Sequence, residues 1–146
     1  INSASLTMVV TRSSSGAQNM ALHRVSTDWG EGASSAGGAG GRGAPAQTGD
    51  ATWLHSSFNG TMWGSAGGDF SGSESATVSV SGTGSYTWAS TAQLVSDVKF
   101  WLDNQPQDFG WIIIGAESSQ KTAKRFASRE TGTASSRPQL TINYTP

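Results

Sequence analysis

The chain has no cysteine, so a disulfide framework, a thiolate metal site and a cysteine nucleophile are all excluded. Histidine occurs twice, and no H-E-x-x-H pair for zinc is present. No G-x-S-x-G nucleophile elbow occurs either. Charge is scarce: Asp, Glu, Lys and Arg make up 13% of 146 residues, about half the usual share. Nine basic and ten acidic residues leave a net charge of −1, without the basic footprint of a nucleic-acid binder. No apolar run approaches the length that spans a bilayer. The opening Ile1-Asn2-Ser3-Ala4 lacks the basic start and apolar stretch of an export signal, and it lacks an initiator methionine. The sequence therefore reads as a mature or excised piece of a longer protein.

What remains is small, polar and aromatic. Ser and Thr together account for 39 residues, Gly for 19, and six tryptophans sit among them. Such a mixture excludes a coiled coil and a Lys/Glu-rich bundle. So many large aromatics also argue against simple disorder. A Ser/Thr/Gly-rich, lysine-poor chain of this length fits one exported domain, residues 1–146, rather than a cytosolic enzyme.

The hydrophobic pattern is mostly that of strands. Ala4, Leu6, Met8 and Val10 alternate with Ser5 and Thr7, the signature of a half-buried strand. Met20 to Val25, Ala76 to Val80, Ser85 to Trp88, Lys121 to Ser128 and Pro138 to Tyr144 read as further strands. Phe109 to Gly115 is apolar throughout and predicts a strand buried on both faces. One segment differs: Leu94, Val95, Val98, Trp101 and Leu102 share a helical face, with Ser90 as the cap of a helix near 91–102. A Gly-rich tract near 28–51 predicts a long loop, uncommon inside a compact domain unless it has a role of its own. Within it, Gly38 to Gly43 matches G-x-G-x-x-G, but more loop follows rather than a helix, so a nucleotide site is rejected. The predicted fold is all-β, an antiparallel two-sheet sandwich of jelly-roll type.

The order of several short motifs resembles a known family. Trp29-Gly30-Glu31-Gly32, Ala51-Thr52-Trp53, Trp63 with Gly67-Gly68-Asp69-Phe70, Trp101-Leu102-Asp103 and Gly110 to Gly115 appear in sequence. Arg125 to Glu130 and Arg137 to Tyr144 follow. Taken together they are similar to the DNRLRE surface modules, related to the alginate-binding carbohydrate-binding modules of family 96. The resemblance covers nearly the whole chain. It implies a non-catalytic, secreted or cell-surface β-sandwich with polysaccharide as its ligand class. Family members usually carry additional strands before the segment matching Ile1 to Leu6. Their absence here would leave an open sheet edge, so self-association by strand exchange in an extracellular filament or matrix is the alternative expectation. A spacer domain in a large adhesin is a third.

Candidate functional residues follow from chemistry. Exposed indoles serve as flat platforms for sugar rings, and Trp29, Trp53 and Trp63 lie in or beside loops. Trp101, Trp111 and Trp88 are expected in the core. Arg125 and Arg129 could meet a uronate carboxylate through paired hydrogen bonds, or hold a structural network with Glu130. Asp69, Asp50 and Glu31, with Asp28, lie in loops rich in carbonyls and are candidate ligands of a structural calcium ion. The scattered Asp and Glu residues nominate no catalytic pair, so no enzyme is expected.

Overall fold

The computed structural model describes residues 1–35 and 43–146. The Gly38 to Gly43 motif falls almost entirely outside the described residues. The described chain is mostly β, in three antiparallel sheets with one α-helix.

Strand β1 (Ser3–Ser13) is the centre of the first sheet. One edge pairs with β6 (Gly84–Trp88), from Leu6 opposite Trp88 to Val10 opposite Gly84. The other edge is shared end to end by two short strands. β9 (Gln139–Asn143) covers Ser3 to Thr7, and β8 (Lys124–Phe126) covers Val10 to Ser13 beyond an irregularity in the register. The alternation of β1 has the expected result. Ala4 and Val10 are buried, Leu6 and Met8 pack at the margin, and Thr7 meets Thr87 hydroxyl to hydroxyl at 2.8 Å on the exposed face.

The second sheet runs β5 (Phe70–Val80), β2 (Gln18–Val25), β7 (Trp111–Ile114). β3 (His55–Ser57) and β4 (Thr61–Met62) form a separate small hairpin turned by Asn59 at φ 61°. The first two sheets share one core with the helix: Ala4 and Val10 meet Met20, Leu22, Ala76, Val80 and Trp88 there, capped by Leu94, Val98 and Trp101. Trp88 is fully buried, and its indole N–H donates across to the Met20 carbonyl at 2.8 Å. That bond satisfies the one polar atom such a large apolar side chain brings inside.

Helix α1 (Ala92–Asp103) starts one residue later than the sequence predicts. Thr91 is the cap, accepting from the Leu94 N–H at 3.0 Å, while its hydroxyl donates to the Ser75 carbonyl. Ser90 instead accepts from the Ala4 N–H at 3.2 Å, joining the helix entry to β1. The buried face is Leu94, Asp97, Val98 and Trp101, whereas Leu102 is 61% exposed. The stripe is therefore rotated from the predicted one, because a carboxylate occupies its middle.

Two strand predictions change as well. β8 is three residues long rather than eight. β7 is only half-buried at all four positions. One of its faces packs on the core, and the other lies beneath the loops that carry the tryptophans.

Candidate functional site

Residues 26–35 and 43–54 form an excursion between β2 and β3 that must be held in place without sheet pairing. Asp50 does much of this. Its carboxylate is 5% exposed and accepts N–H groups from Ala33 at 3.0 Å, Ser34 at 3.2 Å and Gln47 at 2.6 Å. The two arms of the excursion are thereby tied to one side chain. The hydrogen bond from the Gln47 backbone, followed by that from the Ser34 side chain, holds the Asp50 carboxyl below its usual value of 3.8; burial opposes the shift. Gly32 is required beside it, since a Cβ there would stand 1.8 Å from an Asp50 oxygen. A second carboxylate, Asp69, does the same for the loop after β4, accepting from Gly64 at 2.8 Å and Ser65 at 3.0 Å.

These loops bring the three candidate platforms to one place. Trp29 and Trp63 line a cavity of about 260 Å³ with Val25, Ala51, Trp111, Ile112 and Ile113. Trp53 lines an adjoining cavity of about 300 Å³ that shares Ile112 and Ile113. A third, of about 420 Å³, continues from Ile113 past Glu117 to Lys121 and Phe126, between β7 and β8. The three together make a trough along β7, walled by aromatic rings at one end. Trp53 is 59% exposed and Trp29 42%, while Trp63 is half-buried.

Each ring is fixed by a specific contact. The Trp29 N–H donates to the Phe109 carbonyl at 2.8 Å, and the Trp63 N–H to the Thr52 carbonyl at 2.9 Å. Trp53 lies on Gly67, whose φ is 97°; a Cβ at Gly67 would come within 2.9 Å of the ring. The absence of a side chain there lets the indole approach the backbone closely while the residue stays 59% exposed.

The other predicted site residues lie apart from the trough. Arg125, on β8, donates from Nε to the Thr11 hydroxyl at 2.9 Å and lines none of the three cavities. Arg129 is held by two carboxylates, Glu31 at 2.7 Å and Glu130 at 3.0 Å. These two ion pairs tie the Trp29 loop to the exit of β8. The carboxylates expected to hold calcium sit in three separate networks: Asp50 with backbone donors, Asp69 with backbone donors, Glu31 with Arg129. Among the described residues no group of three or more Asp, Glu, His or Cys side chains is placed to share a metal ion.

Sequence reasoning missed the polar centre beneath the trough. Asp97 is 1% exposed and accepts from the Ser75 hydroxyl, the Trp111 N–H at 2.9 Å and Gln93 Nε2 at 3.0 Å. Arg24 Nε lies 3.5 Å away, its guanidinium stacked 4.1 Å from the centre of the Phe100 ring. Trp101 meets Trp111 nearly edge-on, with ring centres 4.4 Å apart. The signal was present in the sequence: Leu94, Asp97, Val98 and Trp101 fall at i, i+3, i+4 and i+7, which puts a charge on an apolar stripe.

No protein-family model, curated protein or solved structure matches the chain.

Proposed function

We propose that the chain is a non-catalytic polysaccharide-binding module, built as a two-sheet antiparallel sandwich and displayed outside the cell. The observation that carries this reading is the convergence of Trp29, Trp63 and Trp53 on one trough over Ile112 and Ile113. These residues come from separate loop segments, each ring is held by a specific contact, and Trp29 and Trp53 remain exposed. Sugar C–H groups pack on such rings, and pre-positioned rings bind without a large ordering cost. Affinity electrophoresis against neutral and anionic polysaccharides tests it. Retardation by at least one polymer, lost in Trp53→Ala while the melting temperature stays put, is the expected result. Retardation unaffected by Trp53→Ala and Trp29→Ala would remove the trough from the account.

A second reading rests on the edges of the sheets. The Val25 N–H bonds the Gly110 carbonyl at 3.0 Å, and hydrogen-bonded pairs alternate along an antiparallel ladder. The backbone groups of Trp111 and Ile113 therefore point away from β2. On the other sheet, Leu140 and Ile142 on β9 and Tyr144 just beyond it are exposed. Self-association by strand addition would use such edges. Light scattering on the purified chain decides it: a ladder of sizes without added sugar favours assembly, and a monomer at high concentration sinks it.

A further inference from the structure

We infer that the cavity between Trp29, Trp63 and Trp111 is a subsite for an apolar substituent of the glycan, an acetyl or C-methyl group, rather than for its hydroxyls. The inference rests on the polysaccharide-binding reading and specifies what that site selects. Among the described residues every side chain that lines the cavity is apolar or aromatic, with Val25, Ala51 and Ile112 beside the three indoles. Among the described residues the indoles carry the lining's only side-chain polar atoms, and all three are committed to the protein. Trp29 donates to the Phe109 carbonyl at 2.8 Å, Trp63 to the Thr52 carbonyl at 2.9 Å and Trp111 to Asp97 at 2.9 Å. A sugar hydroxyl seated there would lose its water hydrogen bonds and meet no side-chain donor or acceptor in exchange. A carboxylate would fare worse. A methyl group loses nothing and gains contact with ring faces and aliphatic carbon.

The cavity of about 260 Å³ has ample room for such a substituent, and it is the apolar lining, not the size, that leaves the hydroxyl-bearing ring to the adjoining cavity lined by Trp53. The trough thus divides the work. Trp53 stacks on a ring, and the indole box reads what that ring carries. Arg129 is engaged by Glu31 and Glu130 and lines neither cavity.

The test uses matched probes. Acetylated glucomannan and acetylated xylan are each offered before and after mild alkali, which removes the ester and leaves the backbone. L-rhamnose and L-mannose methyl glycosides, which differ by a methyl against a hydroxymethyl group, form the second pair. Binding is followed by tryptophan fluorescence and affinity electrophoresis for the wild type, Trp53→Ala and Ala51→Leu, the last of which fills the box from its wall. Preference for the acetylated polymer by about fourfold or more, the gain expected for seating one methyl group, is the predicted result. Ala51→Leu should abolish that preference. The same preference confined to the rhamnoside pair identifies the group as a C-methyl. Equal binding within both pairs, still dependent on Trp53, overturns the subsite and leaves the glycan reading standing. Absence of any Trp53-dependent binding overturns both.

Discussion

Replacing Asp97 by alanine is the sharpest probe of how the helix supports the trough. Asp97 is 1% exposed and is the common acceptor for Ser75, Trp111 and Gln93, with Arg24 alongside at 3.5 Å. Truncation removes the acceptor and leaves the donors. The Ser75 hydroxyl, in a residue 1% exposed, and the Trp111 N–H lose their partner, and each orphaned buried donor costs about 1–3 kcal/mol. Arg24 keeps 24% of its side chain exposed and rests on Phe100, so water can take up part of its charge. The total comes to about 3–5 kcal/mol, the range found when one partner of a buried pair is removed. A domain of this kind has only about 5–15 kcal/mol in hand. At roughly 2–4 °C per kcal/mol, the melting temperature should fall by roughly 6–20 °C. Urea unfolding followed by tryptophan fluorescence measures the loss, and the double variant with Trp111→Phe measures the coupling. The two substitutions should be non-additive by about 1 kcal/mol or more, because they remove the same bond. A loss below about 1 kcal/mol, or strict additivity, would refute the claim that Asp97 organises this region.

Four further outcomes are expected. Gly67→Ala forces a Cβ into the Trp53 ring at a φ of 97°, costing about 1–2 kcal/mol in backbone strain and cutting polysaccharide binding as deeply as Trp53→Ala; unchanged affinity would show that the ring's pose is immaterial. The Asp50 carboxyl titrates below its usual 3.8 when folded, so its contribution is fully present above that pH and is lost as pH falls through the folded value. Hydrogen exchange at Ala33, Ser34 and Gln47, whose N–H groups Asp50 accepts, should rise in that acid window, and in Asp50→Asn this step should vanish. Lys124→Met should cost about 2–3 kcal/mol in urea melts, because the ammonium is held by Ser13 Oγ at 2.6 Å and by the carbonyls of Ser15, Gly16 and Ser81 at 2.7–2.8 Å; a wild-type midpoint would contradict it. With Asp50 and Asp69 already accepting N–H groups, a chelator should leave the melting midpoint unmoved; a drop reversed by added calcium would return those carboxylates to a metal-ligand role.

β1 was legible from its alternation, in which Ala4, Leu6, Met8 and Val10 share one face, and β2 from its apolar residues, although the period breaks where Leu22 and His23 are both buried. The helix was legible to within one residue of its cap. Thr91 and Ser90 are chemically equivalent caps, and only the nearness of Ala4 assigns Ser90 elsewhere. The burial of β7 was overestimated. Trp-Ile-Ile-Ile reads as buried on both faces, yet its outer face is covered only by loops whose position no local pattern encodes. The three platform tryptophans were legible singly, as aromatics in loops. Their convergence was not, because it depends on backbone held by Asp50, Asp69 and Gly67. The roles of the two arginines illustrate the same limit: a guanidinium suits a uronate and a neighbouring carboxylate equally well, and only the fold delivers Glu31 to Arg129.

The pairing of β1 with β9 sets how the domain answers to force. Ser3 lies opposite Asn143 in an antiparallel ladder, the Asn2 N–H bonds the Asn143 carbonyl at 2.7 Å, and the Asn2 side chain reaches Thr145 at 2.8 Å. Ile1 and Pro146 consequently leave the sheet at the same end. Tension applied between them is borne by the outermost bonds first, so the ladder opens like a zipper, from Ser3–Asn143 inward to Thr7–Gln139, rather than shearing as a whole. Each step needs only a pair of bonds to break. Under such a load β9 should peel away at low force while β8, farther along the same edge, still holds Val10 to Ser13. The domain would then act as a short compliant element that lengthens by unpairing one strand, with the Trp29–Trp53–Trp63 trough on the other sheet left in place.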